Sequence, residues 1–160
     1  MVRLRRVMMS FFFAFVDDSR TTLALGLSNT ALGPAGFSNS GVAGYAGGGR
    51  NASQISDINK YAFPSDTRTT LATGLSQARQ SIAGMSNTSV AGYIAGGYNG
   101  SSYVSTVDKF SFADDSRTTL ATGLSNGVGG PGTFSNSGTA GYAGGGYPNR
   151  STVDKFAFPS

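Results

Sequence analysis

Short apolar runs alternate along this chain with runs of Gly, Ser, Asn and Asp, and the alternation itself recurs. The middle stretch shows the plan. Arg79–Met85 predicts a first strand, and Ser86-Asn87-Thr88-Ser89 a turn of residues that bond their own backbone. Val90–Ala95 predicts a second strand, ended by Gly96-Gly97 and followed by the loop Tyr98–Ser102. Ser105–Phe112 predicts a third strand, with Val107, Lys109 and Ser111 on one face and Asp108, Phe110 and Phe112 on the other. Asp114-Asp115-Ser116 is a second polar turn, and Arg117–Thr122, rich in β-branched residues, a fourth strand. No helix is expected, because Glu is absent and Gly interrupts every window long enough to hold one.

The same plan is written three times. Asp18-Ser19-Arg20-Thr21-Thr22-Leu23-Ala24 returns at Asp66–Ala72 and at Asp115–Ala121, with the arginines 48 and 49 residues apart. Tyr45, Tyr93 and Tyr142 share one position, Gly48-Gly49, Gly96-Gly97 and Gly145-Gly146 the next, and Phe13, Tyr61, Phe110 and Phe156 mark the third strand. Repetition at this period means a solenoid, a propeller or an array. Four short antiparallel strands in about 48 residues is the size of one propeller blade. The organisation expected is a non-repeat basic and apolar segment, residues 1–10, followed by an all-β repeat domain, residues 11–160, of three four-stranded units.

Composition narrows the functional classes. Only 12% of the 160 residues are charged, while 39% are hydrophobic, which points to a folded chain with a nearly neutral surface. The net charge of +4 owes much to Arg3, Arg5 and Arg6; without them nine basic and eight acidic residues remain. A nucleic-acid surface is therefore not indicated. The run Val7–Val16 after these arginines resembles a signal peptide, but Asp17 and Asp18 stand where small residues would be cleaved. Phe13-Ala14-Phe15 aligns with Phe110-Ser111-Phe112 and reads as a repeat strand. The run is too short for a membrane span, which needs about 20 residues.

With no Cys and no His, neither a Ser–His nor a Cys–His nucleophile can be assembled, so no enzyme activity and no cofactor are expected. The paired carboxylates Asp17-Asp18 and Asp114-Asp115 read first as turn residues bonding their own backbone, and only secondarily as part of a Ca²⁺ site. The glycine runs lack the Lys-Ser/Thr and the helix of a phosphate-binding loop.

Tyr93-Ile94-Ala95-Gly96-Gly97-Tyr98-Asn99-Gly100 resembles the kelch repeat, in which an aromatic strand ends in paired glycines and a loop. Val107-Asp108-Lys109-Phe110 resembles the kelch strand that carries a tyrosine, and Arg79 ahead of the first strand fits the same pattern. Kelch units usually carry a tryptophan in the last strand, where this chain has Arg-Thr-Thr-Leu-Ala. The wording is also similar to repeat arrays in structural and tail-associated proteins of marine phages. The resemblance implies a β-propeller or partial propeller. It also implies an extracellular or virion-associated setting and a protein or glycan partner. Three units, starting and ending on a third strand, fall short of the four to eight blades of a closed propeller. A homo-oligomer, a larger assembly or a longer array is therefore expected.

Binding is expected where the copies disagree, in the loops after each double glycine. The candidates are Arg50 and Asn51 in the first copy, Tyr98, Asn99 and Tyr103 in the second, and Tyr147 and Asn149 in the third. Tyr and Asn are residues that adaptable binding loops favour. The repeated Arg20, Arg68 and Arg117 would form a row, either pairing with the Asp two residues before each or offering forks to an anionic ligand. The function expected is a non-enzymatic interaction module. The alternative is a structural subunit that assembles through open blade edges into a ring or filament.

Overall fold

The computed structural model describes residues 20–136 and 138–159. It is all-β, with eleven short strands in three antiparallel sheets and no helix among the described residues. The first sheet runs β1 (Ala35–Asn39), β2 (Ala43–Gly47), β3 (Ile58–Ala62) and β4 (Thr67–Thr70) in spatial order. The middle sheet repeats it with β5 (Ala83–Asn87), β6 (Ala91–Ala95), β7 (Val107–Ser111) and β8 (Arg117–Thr119). The third has β9 (Gly132–Asn136), β10 (Ala140–Gly144) and β11 (Val153–Ala157). No sheet closes on itself, and the three meet face to face in chain order. The expected segment 1–10, the strand at Phe13-Ala14-Phe15 and the Asp17-Asp18 pair lie outside the described residues.

Several boundaries differ from expectation: β6, β7 and β8 are shorter than the expected 90–95, 105–112 and 117–122, the third sheet has three strands, not four, and residues 20–24, expected as a copy of the fourth strand, form no strand. The first strand of the middle unit begins at Ala83, not Arg79, and includes Ser86 and Asn87. Residues 79–81 are held by neighbouring loops instead: Arg79 N–H donates to Ile55 O, and Ser81 N–H to Gly33 O. Those tertiary bonds remove the residues from the β5–β6 ladder. The turn then falls at residues 88–90, closed by Val90 N–H on Asn87 O; Val42 on Asn39 and Thr139 on Asn136 repeat the bond.

The sheets pack through aromatic side chains. Phe37 stacks on Tyr45 at 4.8 Å within the first sheet and on Phe110 and Phe112 of the middle sheet at 5.6 and 6.2 Å. Ile58, Leu71, Leu75, Ile82 and Ile94 complete that core. A second core joins Met85, Tyr93, Val107, Leu124 and Val128 to Ala143 and Phe158 of the third sheet. The two faces of β7 thus serve different cores, Phe110 one and Val107 the other, as its alternation predicts. Every residue of β6 is buried, because the middle sheet has a neighbour on each side.

Gly92 explains why the second strand reads Ala-Gly-Tyr. A Cβ there would run into the ring of Phe37, so only glycine lets the aromatic ring of the first sheet lie on the backbone of the middle one. The double glycines have a different cause. Gly48, Gly49, Gly96, Gly97, Gly145 and Gly146 all have φ between 63° and 108°, which L side chains rarely adopt. The bend lets Gly49 N–H reach Arg79 O and Gly97 N–H reach Val128 O, each in the loop ahead of the following sheet.

Candidate functional site

The variable loops gather at one end of the array. Tyr98 and Tyr103 belong to one loop and lie 5.1 Å apart, tilted by 48°. Tyr147, from the third unit, lies 5.1 Å from Tyr103 at a tilt of 57°. The three rings form a continuous row, and Tyr147 is 62% exposed at its end. Gln80 and Gly129 supply the bridges that hold the row: Gln80 pairs with Tyr98 and Gly129 with Tyr147. Tyr103 also lies against Gly129, where a Cβ would stand 2.7 Å from the ring edge. Sequence alone left Tyr147 in a different loop from Tyr98 and Tyr103; their row depends on the stacking of the sheets.

Asn99 and Asn51 stiffen the loops they sit in. Asn99 Oδ1 accepts from Ser101 N–H at 3.0 Å and Ser102 N–H at 2.9 Å, while its Nδ2 donates to Gln77 Oε1 at 3.0 Å. Asn51 Oδ1 accepts from Ser53 N–H at 3.3 Å. The Asn-x-Ser spelling at these positions is therefore that of a side chain closing its own turn. Tyr98 Oη donates to Gly100 O at 2.8 Å. Arg50 is anchored by backbone bonds with Leu32 and leaves its side chain exposed, and Asn149 and Arg150 are exposed beside Tyr147.

The arginine row is arranged differently. Arg117 Nη1 donates to Thr119 Oγ1 at 2.9 Å and stands 3.7 Å from Asp108 Oδ1; its acid is Asp108, not the nearby Asp115. Arg68 Nη1 donates to Gly26 O at 2.8 Å, and exposed Arg20 to Thr22 Oγ1 at 3.0 Å. The local pairing expected between each arginine and the Asp two residues earlier is formed by neither Arg68 nor Arg117 among the described residues; Asp115 reaches the first sheet instead. Asp115 accepts Tyr45 Oη at 2.8 Å and Lys60 Nζ at 2.7 Å. Its neighbour Asp114 caps Ser116 through N–H and Oγ, which holds the Asp114 carboxyl below its ordinary range. The adjacent carboxylates thus have different partners. No cluster of three acidic metal-ligating residues occurs among the described residues.

Sequence reasoning missed a buried ionic centre in the middle unit. Arg79 Nη2 and Asp108 Oδ2 are 2.9 Å apart, and both side chains are fully buried. Asp108 also accepts Ser76 N–H, Ser76 Oγ and Thr119 Oγ1. Burial lowers the Arg79 pKa, opposed by the Asp108 charge. In the other units Asn59 accepts Ser28 N–H, and Asp154 accepts Ser125 N–H and Oγ, so this acceptor belongs to the frame. The signal was present in the Val-Asp-Lys-Phe repeat, though Arg79 itself is unique to one copy.

The pockets beside Ser28 and Asp57 and beside Ser125 and Asp154 hold about 10 Å³ each, the room of a single water. An open depression of about 370 Å³ lies elsewhere, between residues 21–25 and 65–67. No helix of the described residues is long and apolar enough to cross a membrane. No protein-family model matches the sequence, and no curated protein matches it.

Proposed function

We propose that this chain is a non-enzymatic interaction module, a kelch-like propeller segment whose loop rim binds a protein or glycan partner. The observation that carries this reading is the Tyr98–Tyr103–Tyr147 row. Tyrosines held by backbone bridges offer large, rigid, amphipathic area at small entropic cost. Asn149 and Arg150 stand exposed on the loop of Tyr147, and Arg50 on the corresponding loop of the first unit, as hydrogen-bond groups. A surface of ring faces edged by amide and guanidinium groups suits a sugar chain, whose rings present C–H faces and equatorial hydroxyls. The lack of His and Cys supports surface binding over catalysis.

A glycan panel read by surface-immobilised binding tests this. Tyr147→Ala combined with Tyr98→Ala is expected to weaken the best glycan ligand by roughly 30-fold or more, the scale of losing aromatic anchors, with the melting temperature little changed. Tyr103 is left intact because it packs on Gly129. Undiminished binding by the double variant would remove the loop rim as the site. Binding to a protein with none to any glycan would assign the same rim to a protein partner.

A further inference from the structure

The two outer faces of the array are the separated halves of the joint repeated inside it. We propose that the exposed face of the third sheet docks head to tail on the exposed face of the first sheet of a second copy of this chain. The third sheet offers Phe134, Tyr142 and Lys155; the first offers Gly44, Phe63 and Asp66.

The inner joint supplies the template. Phe37 stacks on Tyr45 at 4.8 Å and 11°, with Lys60 5.5 Å above the Tyr45 ring. The middle sheet covers them by laying Gly92 on Phe37, Phe112 on Tyr45 at 5.5 Å, and Asp115 on Tyr45 Oη and Lys60 Nζ. On the third sheet the same receiving geometry is already formed. Phe134 stacks on Tyr142 at 4.9 Å and 12°, with Lys155 5.9 Å above the ring. Yet Phe134 is 61% exposed where Phe37 is 7%.

The first sheet carries the inserting half. Gly44 stands at the position of Gly92, Phe63 at that of Phe112, and Asp66 at that of Asp115. Phe63 is 45% exposed. Asp66 has φ 54° where Asp115 has 57°, so its turn is already shaped for the contact. Backbone groups match as well. Gly49 and Gly97 N–H donate across the inner joints to Arg79 O and Val128 O. At the corresponding positions Gly146 N–H has no partner among the described residues, and Ala31 carries the matching carbonyl.

A glycine slot, an aromatic pair, a carboxylate for a Tyr–Lys pair and a backbone donor for an acceptor together identify the occupant as another copy of this chain. Contact of unlike faces is heterologous, so copies continue into a closed ring or an open filament.

The test uses the full chain in sedimentation and native mass measurements. Wild type is expected to form species of two or more copies that grow with concentration. Phe134→Asp blocks one face and Gly44→Arg the other; each variant alone is expected to be monomeric with an unchanged circular dichroism spectrum. Mixed in equal amounts, they retain one good face each and are expected to form a dimer and nothing larger. The charge pair gives a second check: Asp66→Lys or Lys155→Asp alone should weaken association at least tenfold, and the double swap should restore it. Monomeric wild type at the highest attainable concentration would overturn the proposal, as would association of Gly44→Arg alone, which would mean like faces pairing. Tyr98→Ala should associate as wild type does, so a failure of the loop-rim reading leaves this one standing.

Discussion

At the scale of single residues, acids decide how the sheets are joined. Asp115 is partly buried and pairs with Lys60 and Tyr45, each contributed by another sheet. Asp115→Asn leaves an ammonium and a phenol facing a neutral amide. It should cost about 1–2 kcal/mol, a charged hydrogen bond discounted for partial exposure, read by denaturant unfolding. The pair also sets an alkaline limit. The Asp115 hydrogen bond raises the Lys60 pKa against the effect of burial, and burial followed by Asp115 raises that of Tyr45. A raised folded pKa stabilises below the unfolded value and is lost as pH rises through the folded one. Melting temperature is therefore expected to fall above about pH 10, the ordinary range of Tyr and Lys. The fall should be shallower in Asp115→Asn.

The Arg79–Asp108 pair behaves differently because it is fully buried. Asp108→Ala strands Arg79 and the Ser76 and Thr119 donors and should cost about 3–5 kcal/mol. Arg79→Val leaves Asp108 its neutral donors and Arg117 3.7 Å away, and should cost less. Equal losses in the two variants would refute this assignment. The importance of these acids was only partly legible in the sequence. The repeat marks Asp108 and Asp115 as recurring, but their partners lie 29 and 55 residues away, and only the folded chain brings them together.

At the scale of elements, glycine placement sets how closely sheets approach. Gly92→Ala drives a methyl into Phe37 and should destabilise by about 1–3 kcal/mol through overpacking. Gly44→Ala, the same position on an outer sheet, meets only the far end of Phe63 at 3.3 Å and should be nearly neutral in the monomer. Thermal unfolding of the two variants side by side measures the difference, and equal effects would show that position in the repeat, not the covering sheet, sets the cost. The Ser-Asn cluster misplaced the first turn, since Ser86 and Asn87 end β5, whereas strand succession and the Asp-Asp turn were readable beforehand. The start of β5 was not, because Arg79 and Ser81 look like strand residues and are diverted by bonds to Ile55 and Gly33.

At the scale of the whole molecule, repetition and asymmetry act together. Each inner sheet face is covered by a like neighbour, whereas Phe63 and Phe134 remain exposed on opposite outer faces. Burying one Phe side chain favours association by about 1.5–3 kcal/mol, so charged substitutions at either face should shift assembly more than they shift folding. Simultaneous light scattering and circular dichroism would separate the two effects. What the sequence determined by itself was local and periodic: strands, turns, three units, and loops that vary. Those follow from backbone preferences and side-chain alternation over a few residues. Only the tertiary structure decided which residues of different units meet. The tyrosine row, the Asp115 clamp and the buried Arg79–Asp108 pair all arise where neighbouring loops or sheets approach, and the distance between units is set by packing that no short window of sequence contains.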